Sequence, residues 1–513
     1  MRRIGAVMAI LIAVGALTGT AGAAAFAAPP ASPASPASPA SSASPASSAS
    51  SASPVGGTWG PTVPVPGLVA LSPGFVNVLT SISCTGPGDC TAGGAYQSVG
   101  NGSADTDSAY VVSEVNGRWG NAEAVPGTAA LNTGLGAATT AVSCSSPGNC
   151  AAAGYYAYRY GKSAVGVAGF VASQVNGRWV TARPLSRAAR FAEVTAVSCA
   201  PARTAAAREA GLNCVAAGVS DLAPGTSAGF VLAEVHGTWG TARPVPGLAA
   251  TPPGSAVTSV SCPVPGTCGI GGYYAGKSGR RQAFVANEVN GTWRKAQLVP
   301  GTATLNAGGD ATVTSVSCPA AGACAAAGTY RPKKGPGQLF VVSESAGQWK
   351  QAIQLPGSGK LVTANGSTIG EVSCASAAAC EVGGTLQTAA ATTRGFLAGE
   401  TSGRWRALSV VPGGTASTIT ALSCPAPGYC AAGGQRTNPP SANGFPASVI
   451  VLDEAAGRWG KTVPLYSGYN VISSTDSVYA ISCAAPRNCV AGGDRNGIEG
   501  SPFAFVANET PVK

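Results

Sequence analysis

Sixteen cysteines stand in this chain of 513 residues, and they fall in eight pairs. The pairs are Cys84 and Cys90, Cys144 and Cys150, Cys199 and Cys214, Cys262 and Cys268, Cys318 and Cys324, Cys374 and Cys380, Cys424 and Cys430, and Cys483 and Cys489. Five residues separate the members of seven pairs; fourteen separate Cys199 from Cys214, where Arg203 to Gly211 is inserted. That spacing fits neither a redox C-x-x-C nor a zinc thiolate set, whereas an even, repeated count in an exported chain reads as structural disulfides. His236 is the single histidine, which removes histidine-rich metal sites and argues against a Ser-His or Cys-His dyad. No phosphate loop, nucleophile elbow or zinc signature occurs, so neither cofactor nor metal is expected.

Two other constellations have the residue types for chemistry. One is a set of tyrosines interleaved with cations: Tyr155, Tyr156, Arg159, Tyr160 and Lys162; Tyr273, Tyr274, Lys277, Arg280 and Arg281; Tyr330, Arg331, Lys333 and Lys334. Aromatic faces among cations suit sugars, anionic polymers or nucleic acid. The net charge of +10 is a small excess for a nucleic-acid partner, which leaves an anionic glycan or cell-wall polymer as the expected ligand. The other is Glu371 with Glu381, a carboxylate pair of the kind used for acid/base work on polysaccharides or for holding a cation.

The elements that must position these residues come from a repeat. Trp occurs at 59, 119, 179, 239, 293, 349, 405 and 459, so seven steps cover 400 residues at a mean of about 57. A period of this size means propellers or solenoids rather than separate globular domains. Within one unit, Val257–Cys262 is a β-branched strand ending in the turn Pro265-Gly266. Gly269–Tyr274 is a second strand, and a variable polar loop leads to a third, Ala283–Glu288. Asn290-Gly291 is a two-residue hairpin turn, and Trp293 opens a fourth strand that ends at Pro300-Gly301. The tyrosine-cation runs occupy the loop between strands two and three, presented on one face. Opposing Cys374 to Cys380 across the first hairpin sets Glu371 against Gly383 and Ser373 against Glu381. The two glutamates are then diagonal neighbours roughly 7 Å apart. Glu recurs five residues before most of the Trp, for example Glu114, Glu234, Glu288 and Glu344. A carboxylate present once per unit suits hydrogen bonding to a neighbouring unit better than catalysis.

Double glycine closing the second strand, then an apolar strand, a tight turn and Trp, is similar to the kelch-type propeller repeat. The form Ser-Cys-x5-Cys-x-Ala-Gly-Gly resembles repeats of secreted actinobacterial propeller proteins. Glu stands where kelch repeats carry Tyr-Asp, and the Ser-x-Asp-x-Gly-x-x-x-Trp box of sialidase-like propellers is missing.

The chain ends settle ring against solenoid. Pro502 to Glu509 is a third strand with no Trp after it, while the missing fourth strand, Thr58 to Gly67, lies at the other end. Pairing the two closes a ring of eight four-stranded antiparallel blades, an all-β fold with no exposed sheet edge. Ahead of the propeller, expected over 55–513, residues 1–27 have a charged start, an apolar run and Ala25-Phe26-Ala27, as a cleaved secretory signal does. Residues 28–54 are a Pro-Ala-Ser tract with too little apolar area to offset its ordering entropy, a disordered linker. No later stretch approaches 18 consecutive apolar residues, so the expectation is a secreted, extracellular monomer that binds without catalysis. Only 10% of residues are charged, against about 25% in an average domain, as blades buried on both faces require.

Overall fold

The computed structural model describes residues 57–511 apart from 73–75, 99–105, 135, 161–163, 186–190, 203, 210, 224–225, 249–253, 277, 389–391, 438–446, 466–475 and 497–501. The expected signal and linker, residues 1–54, lie outside the described residues.

Eight antiparallel sheets make up the molecule. Each contains three long strands, here A, B and C, and an outer strand D split into two-residue pieces. In blade 4 these are Ser255–Val264, Thr267–Ala275, Arg281–Val289, and Thr292–Trp293 with Gln297–Leu298. Numbered in chain order, blades 1 to 8 have A strands at Asn77–Gly86, Ala137–Ser146, Ala192–Cys199, Ser255–Val264, Thr312–Ala320, Thr368–Ser376, Ala416–Ala426 and Ser477–Ala485. Each A strand packs on the A strands of both neighbouring blades, including blade 8 on blade 1, so the A strands form the inner ring.

The N-terminal segment closes that ring. Trp59 pairs with Glu509 and Val63 with Val506, which makes Thr58–Trp59 and Val63–Pro64 the D strand of blade 8. The recurrent Ser-Cys dipeptide provides a second closure. The Cys144 amide donates to Ser83 Oγ of the preceding blade at 3.0 Å. The same bond joins Cys199 to Ser143, Cys262 to Ser198, Cys318 to Ser261, Cys374 to Ser317, Cys424 to Ser373 and Cys483 to Ser423. Cys84 to Ser482, at 3.0 Å, completes the circle. All eight expected disulfides are present. Each ties A to B within a blade, while the serine beside it ties one blade to the next.

The second glycine of each double glycine answers to a bulge in strand A. The register shifts between Leu79 and Ser81, and this pushes the Val78 carbonyl to 2.0 Å from where a Cβ on Gly94 would stand. At the bulge itself, the Thr80 hydroxyl donates to the Thr139 carbonyl of the next blade at 2.6 Å. The hairpin turn between C and D has positive φ at Asn116, Asn176, Asn290 and His236, so the lone histidine is a turn residue, as expected. Two features were not foreseen. A four-residue helix follows strand D after blades 8, 1, 4 and 5 (Leu68–Leu71, Thr128–Leu131, Thr302–Leu305 and Ser358–Leu361), and the Arg203–Gly211 insertion carries a short helix, Ala205–Glu209.

Candidate functional site

The turns A–B and C–D lie at one end of the ring; the B–C loops and the connections to the next blade lie at the other. The tyrosine-cation runs fall at the B–C end, but the fold treats their members differently. In blade 2, strands B and C extend to Asn149–Tyr160 and Ala164–Val175, so the expected loop is sheet. Tyr156 is fully buried against Ala109 and Val111 of blade 1, and Tyr158 is also buried. Tyr156, Tyr158 and half-buried Tyr160 form a ladder with ring centroids 6.2 and 6.0 Å apart. Tyr155 points the other way. Burial, then the charges of Glu193 and Asp107, push its phenol well above the ordinary value. Arg159 is exposed, its Nε donating to the Thr133 carbonyl at 3.2 Å. Tyr330 of blade 5 is core as well. Tyr156, Tyr158 and Tyr330 are thus packed between blades rather than presented in loops, while Tyr155 and Tyr160 are half-buried. Lys162 and Lys277 lie outside the described residues.

Blades 4 and 5 do bring their cations together. The Arg281 guanidinium stands 4.5 Å over the half-buried Tyr273 ring, whereas half-buried Tyr274 points to the other face of the sheet and packs against the core shared with blade 3. The segment Asn306–Asp310, which links the two blades, runs between their B–C loops. Arg281 N donates to Gly309 O at 3.1 Å, and Gly308 N to Arg331 O at 2.8 Å. Buried Asn306 organises the group. Its Nδ2 donates to Arg281 O at 2.9 Å, and its Oδ1 accepts from Asp310 N at 2.8 Å and Arg331 N at 3.2 Å. Arg280 Nη1 reaches the Ala307 carbonyl at 3.5 Å, while Lys333 and Lys334 are exposed. Arg280, Arg281 and Arg331 thus meet the Asn306–Asp310 segment, with Asp310 Oδ2 4.0 Å from Arg331 Nη2; Lys333 and Lys334 stand in the B–C loop of blade 5. Asn306 was not legible as a site residue; only its place just after the Thr302–Leu305 helix marks it.

The acid pair has the expected register, Glu371 opposite Gly383 and Ser373 opposite Glu381. Both glutamates face blade 7 but serve different partners. Glu371 Oε2 accepts the Leu422 amide at 2.9 Å, the place Ser315 fills for Val372 and Ser259 for Val316. Burial raises its carboxyl well above the ordinary range, and the Leu422 amide opposes this. Glu381 sits nearer the A–B turn. Burial first, then the charge of Glu454 in blade 7, push it up to about 8, against the Trp459 indole and Arg406. It lines a cleft of about 580 Å³ between blades 6 and 7; Glu371 does not.

Four of the recurrent glutamates accept from the preceding blade, as expected. Ser173 donates to Glu234 at 2.5 Å, Ser343 to Glu400 at 2.6 Å and Asn508 to Glu114 at 2.6 Å, and Asn287 donates to Glu344. Indole N–H groups use the same positions: Trp239 donates to Ser173 at 2.9 Å, Trp405 to Ser343 at 3.1 Å and Trp349 to Asn287 at 3.1 Å. A cluster that sequence reasoning missed lies in blade 8, where Tyr479 takes the place of the bulge threonine. It hydrogen-bonds buried Asp494, whose carboxyl is raised to about 7 by burial and by Asp476.

No known protein family and no curated protein matches the chain. Among solved structures, a protein of unknown function from Dyadobacter fermentans covers 89% of this chain and all of its own, at 11% identity and TM-score 0.39. The β-propeller domain of the Trilobed protease from Pyrococcus furiosus covers 76% of this chain and 98% of its own, at 8% identity and TM-score 0.41. The Trypanosoma rangeli sialidase covers 84% of this chain and 54% of its own, at 10% identity and TM-score 0.33. Likeness this distant assigns neither activity nor ligand to this chain.

Proposed function

We propose that this chain is an exported, non-catalytic, monomeric eight-bladed propeller that binds an anionic extracellular glycan through the rim of blades 4 and 5. Residues 1–27 are its signal, 28–54 its spacer and 55–513 its binding domain. The observation that carries the reading is the meeting of Arg280, Arg281 and Arg331 from two blades on one Asn306-ordered segment, with exposed Lys333 and Lys334 in the adjoining B–C loop of blade 5. Tyr273, half-buried beneath Arg281, supplies an apolar face next to the charge, while Tyr274 packs on the opposite face of the strand against blade 3. Eight disulfides support an oxidising compartment, and among the described residues no helix is long and apolar enough to cross a membrane. Replacing Arg280, Arg281, Lys333 and Lys334 with serine should abolish retention on an acidic cell-wall polymer at low ionic strength. Unchanged retention would leave an extracellular scaffold with no dedicated ligand.

A further inference from the structure

Three departures from the repeat meet at one interface. Position 399 of strand C is glycine, where Ser173, Asn287, Ser343 and Asn508 supply the side chain that serves the next blade. Blade 3 also lacks it, with Ala233, but keeps the outer clasp described below. Position 381 of strand B is glutamate, where blades 2, 5 and 7 carry Ala151, Ala325 and Ala431. The Glu381 carboxyl fills the room left by glycine: its Oε1 stands 2.1 Å from where a Cβ on Gly399 would be. There it accepts the Trp459 indole in place of the lost side chain. The third departure is an outer clasp. Ala122 N donates to Pro66 O, Ala182 to Pro126, Ala296 to Pro246, Ala352 to Pro300 and Leu408 to Pro356. Among the described residues, the corresponding bond from Thr462 to Pro412 is absent.

With the clasp open and the side chain gone, blades 6 and 7 part at their outer edges into the cleft of about 580 Å³. That is a volume typical of small-ligand sites. Leu397, Val411 and Leu452 form an apolar wall beside Trp459. Glu454 also lines the cleft; it is 7% exposed, and its Oε2 is buried without a hydrogen-bond partner, as is Oε2 of Glu381. Arg406 at the mouth bonds Thr401 at 2.6 Å, and among the described residues it forms no ion pair with either glutamate. Arg458 also stands in the lining and the charge of Arg406 acts on both glutamates, but among the described residues neither arginine forms an ion pair with them. Two carboxyls thus face the cavity with free acceptor oxygens, and the apolar wall favours an organic cation.

We propose that the cleft between blades 6 and 7 is a second ligand site, which takes a small organic ammonium between Glu381 and Glu454. It is independent of the cationic rim, which lies at the opposite end of the ring. The ammonium takes the place of the proton that Glu381 holds and makes two charge-assisted hydrogen bonds. Because Glu381 is held up to about 8 by burial and by Glu454, with Arg406 opposing, occupation at pH 7 lowers its proton affinity and releases protons.

The test is calorimetry on the full chain with matched probes: glucosamine against glucose, and pentane-1,5-diamine against pentane-1,5-diol. The charged member of at least one pair should bind and the neutral members should not; which amine binds more tightly separates an amino sugar from an alkyl amine. Buffers of differing ionisation enthalpy should reveal proton release. E454Q should weaken binding at least tenfold. The double substitution Glu381→Ala with Gly399→Ser rebuilds blade 5's own combination of Ala325 and Ser343. It should keep the fold, shown by an unchanged or raised melting temperature, and lose binding. Equal binding of the neutral probes, calcium binding in place of the amines, or full binding by the double variant would overturn the proposal.

Discussion

The interface between blades 5 and 6 and the one between blades 6 and 7 share an inner half and differ in the outer half. On the inside, Cys374 bonds Ser317 and Cys424 bonds Ser373, at 3.0 and 2.9 Å. Val372 bonds Ser315 at 3.1 Å and Leu422 bonds Glu371 at 2.9 Å. On the outside, Ser343 serves both Glu400 and Trp405, and Leu408 clasps Pro356 at 2.9 Å. Across the next interface, glycine stands at 399, Trp459 turns to Glu381, and Glu454 keeps a bare oxygen. The comparison teaches that the ring is held from the inside. The outer edges are free to depart from the repeat, and a binding cleft can be opened there without disturbing closure.

The largest effect should come from breaking the regular interface. Ser343→Ala removes the donor to buried Glu400 and the acceptor of half-buried Trp405 and leaves both groups unpaired. It should cost about 2 kcal/mol in urea unfolding. A cost near zero would mean that the outer bonds of interface 5/6 matter no more than those missing from 6/7. Converting 6/7 to the regular form, with Glu381→Ala and Gly399→Ser, should raise stability by about 1 kcal/mol, because it removes one buried carboxyl of the pair and offers a hydroxyl to Glu454 and Trp459. A loss would show that the cleft is itself well packed.

The pH response sharpens the same contrast. Glu381 and Glu509 are pushed up to about 8, each by burial first and then by a facing carboxylate, Glu454 and Asp453 respectively. Each binds a proton in the fold that the unfolded chain would release. The stability so gained is present in full below the ordinary carboxylate range and lost as pH rises through the folded value. The melting temperature should therefore fall between pH 5 and 8, and less steeply in the double variant. The smallest effect is expected for Glu371→Ser, within about 0.5 kcal/mol of the parent, because Ser315 and Ser259 perform the same service for Val372 and Val316. A large loss would give Glu371 a role beyond accepting the Leu422 amide.

The features readable in the sequence were those carried by local spacing. The Trp and Cys series counted blades, Asn290-Gly291 marked the C–D turn, and the orphan strands at Thr58 and Pro502 announced closure. What stayed hidden depends on a residue some 57 positions away. The serine before each first cysteine looks like strand filler until the next blade's cysteine amide appears beside it. Gly399 reads as one more glycine until Trp459 and Glu454 are seen to lack its side chain. The tyrosines misled for a related reason. Strand B of blade 2 runs on to Tyr160, so period-two alternation put Tyr156 and Tyr158 against blade 1, not in a loop. Around Asn306 the cations were legible as a composition, but the backbone that gathers them was not.

The measurement that bears most directly on function is the affinity of the full chain for polygalacturonate and for its fully methyl-esterified form, across ionic strength. The charged polymer should bind and weaken steeply with salt, the ester should not bind, and serine at Arg280, Arg281, Lys333 and Lys334 should remove the difference. Equal affinity for the two polymers, or a salt-independent affinity that survives the four substitutions, would contradict an anionic-glycan site on blades 4 and 5.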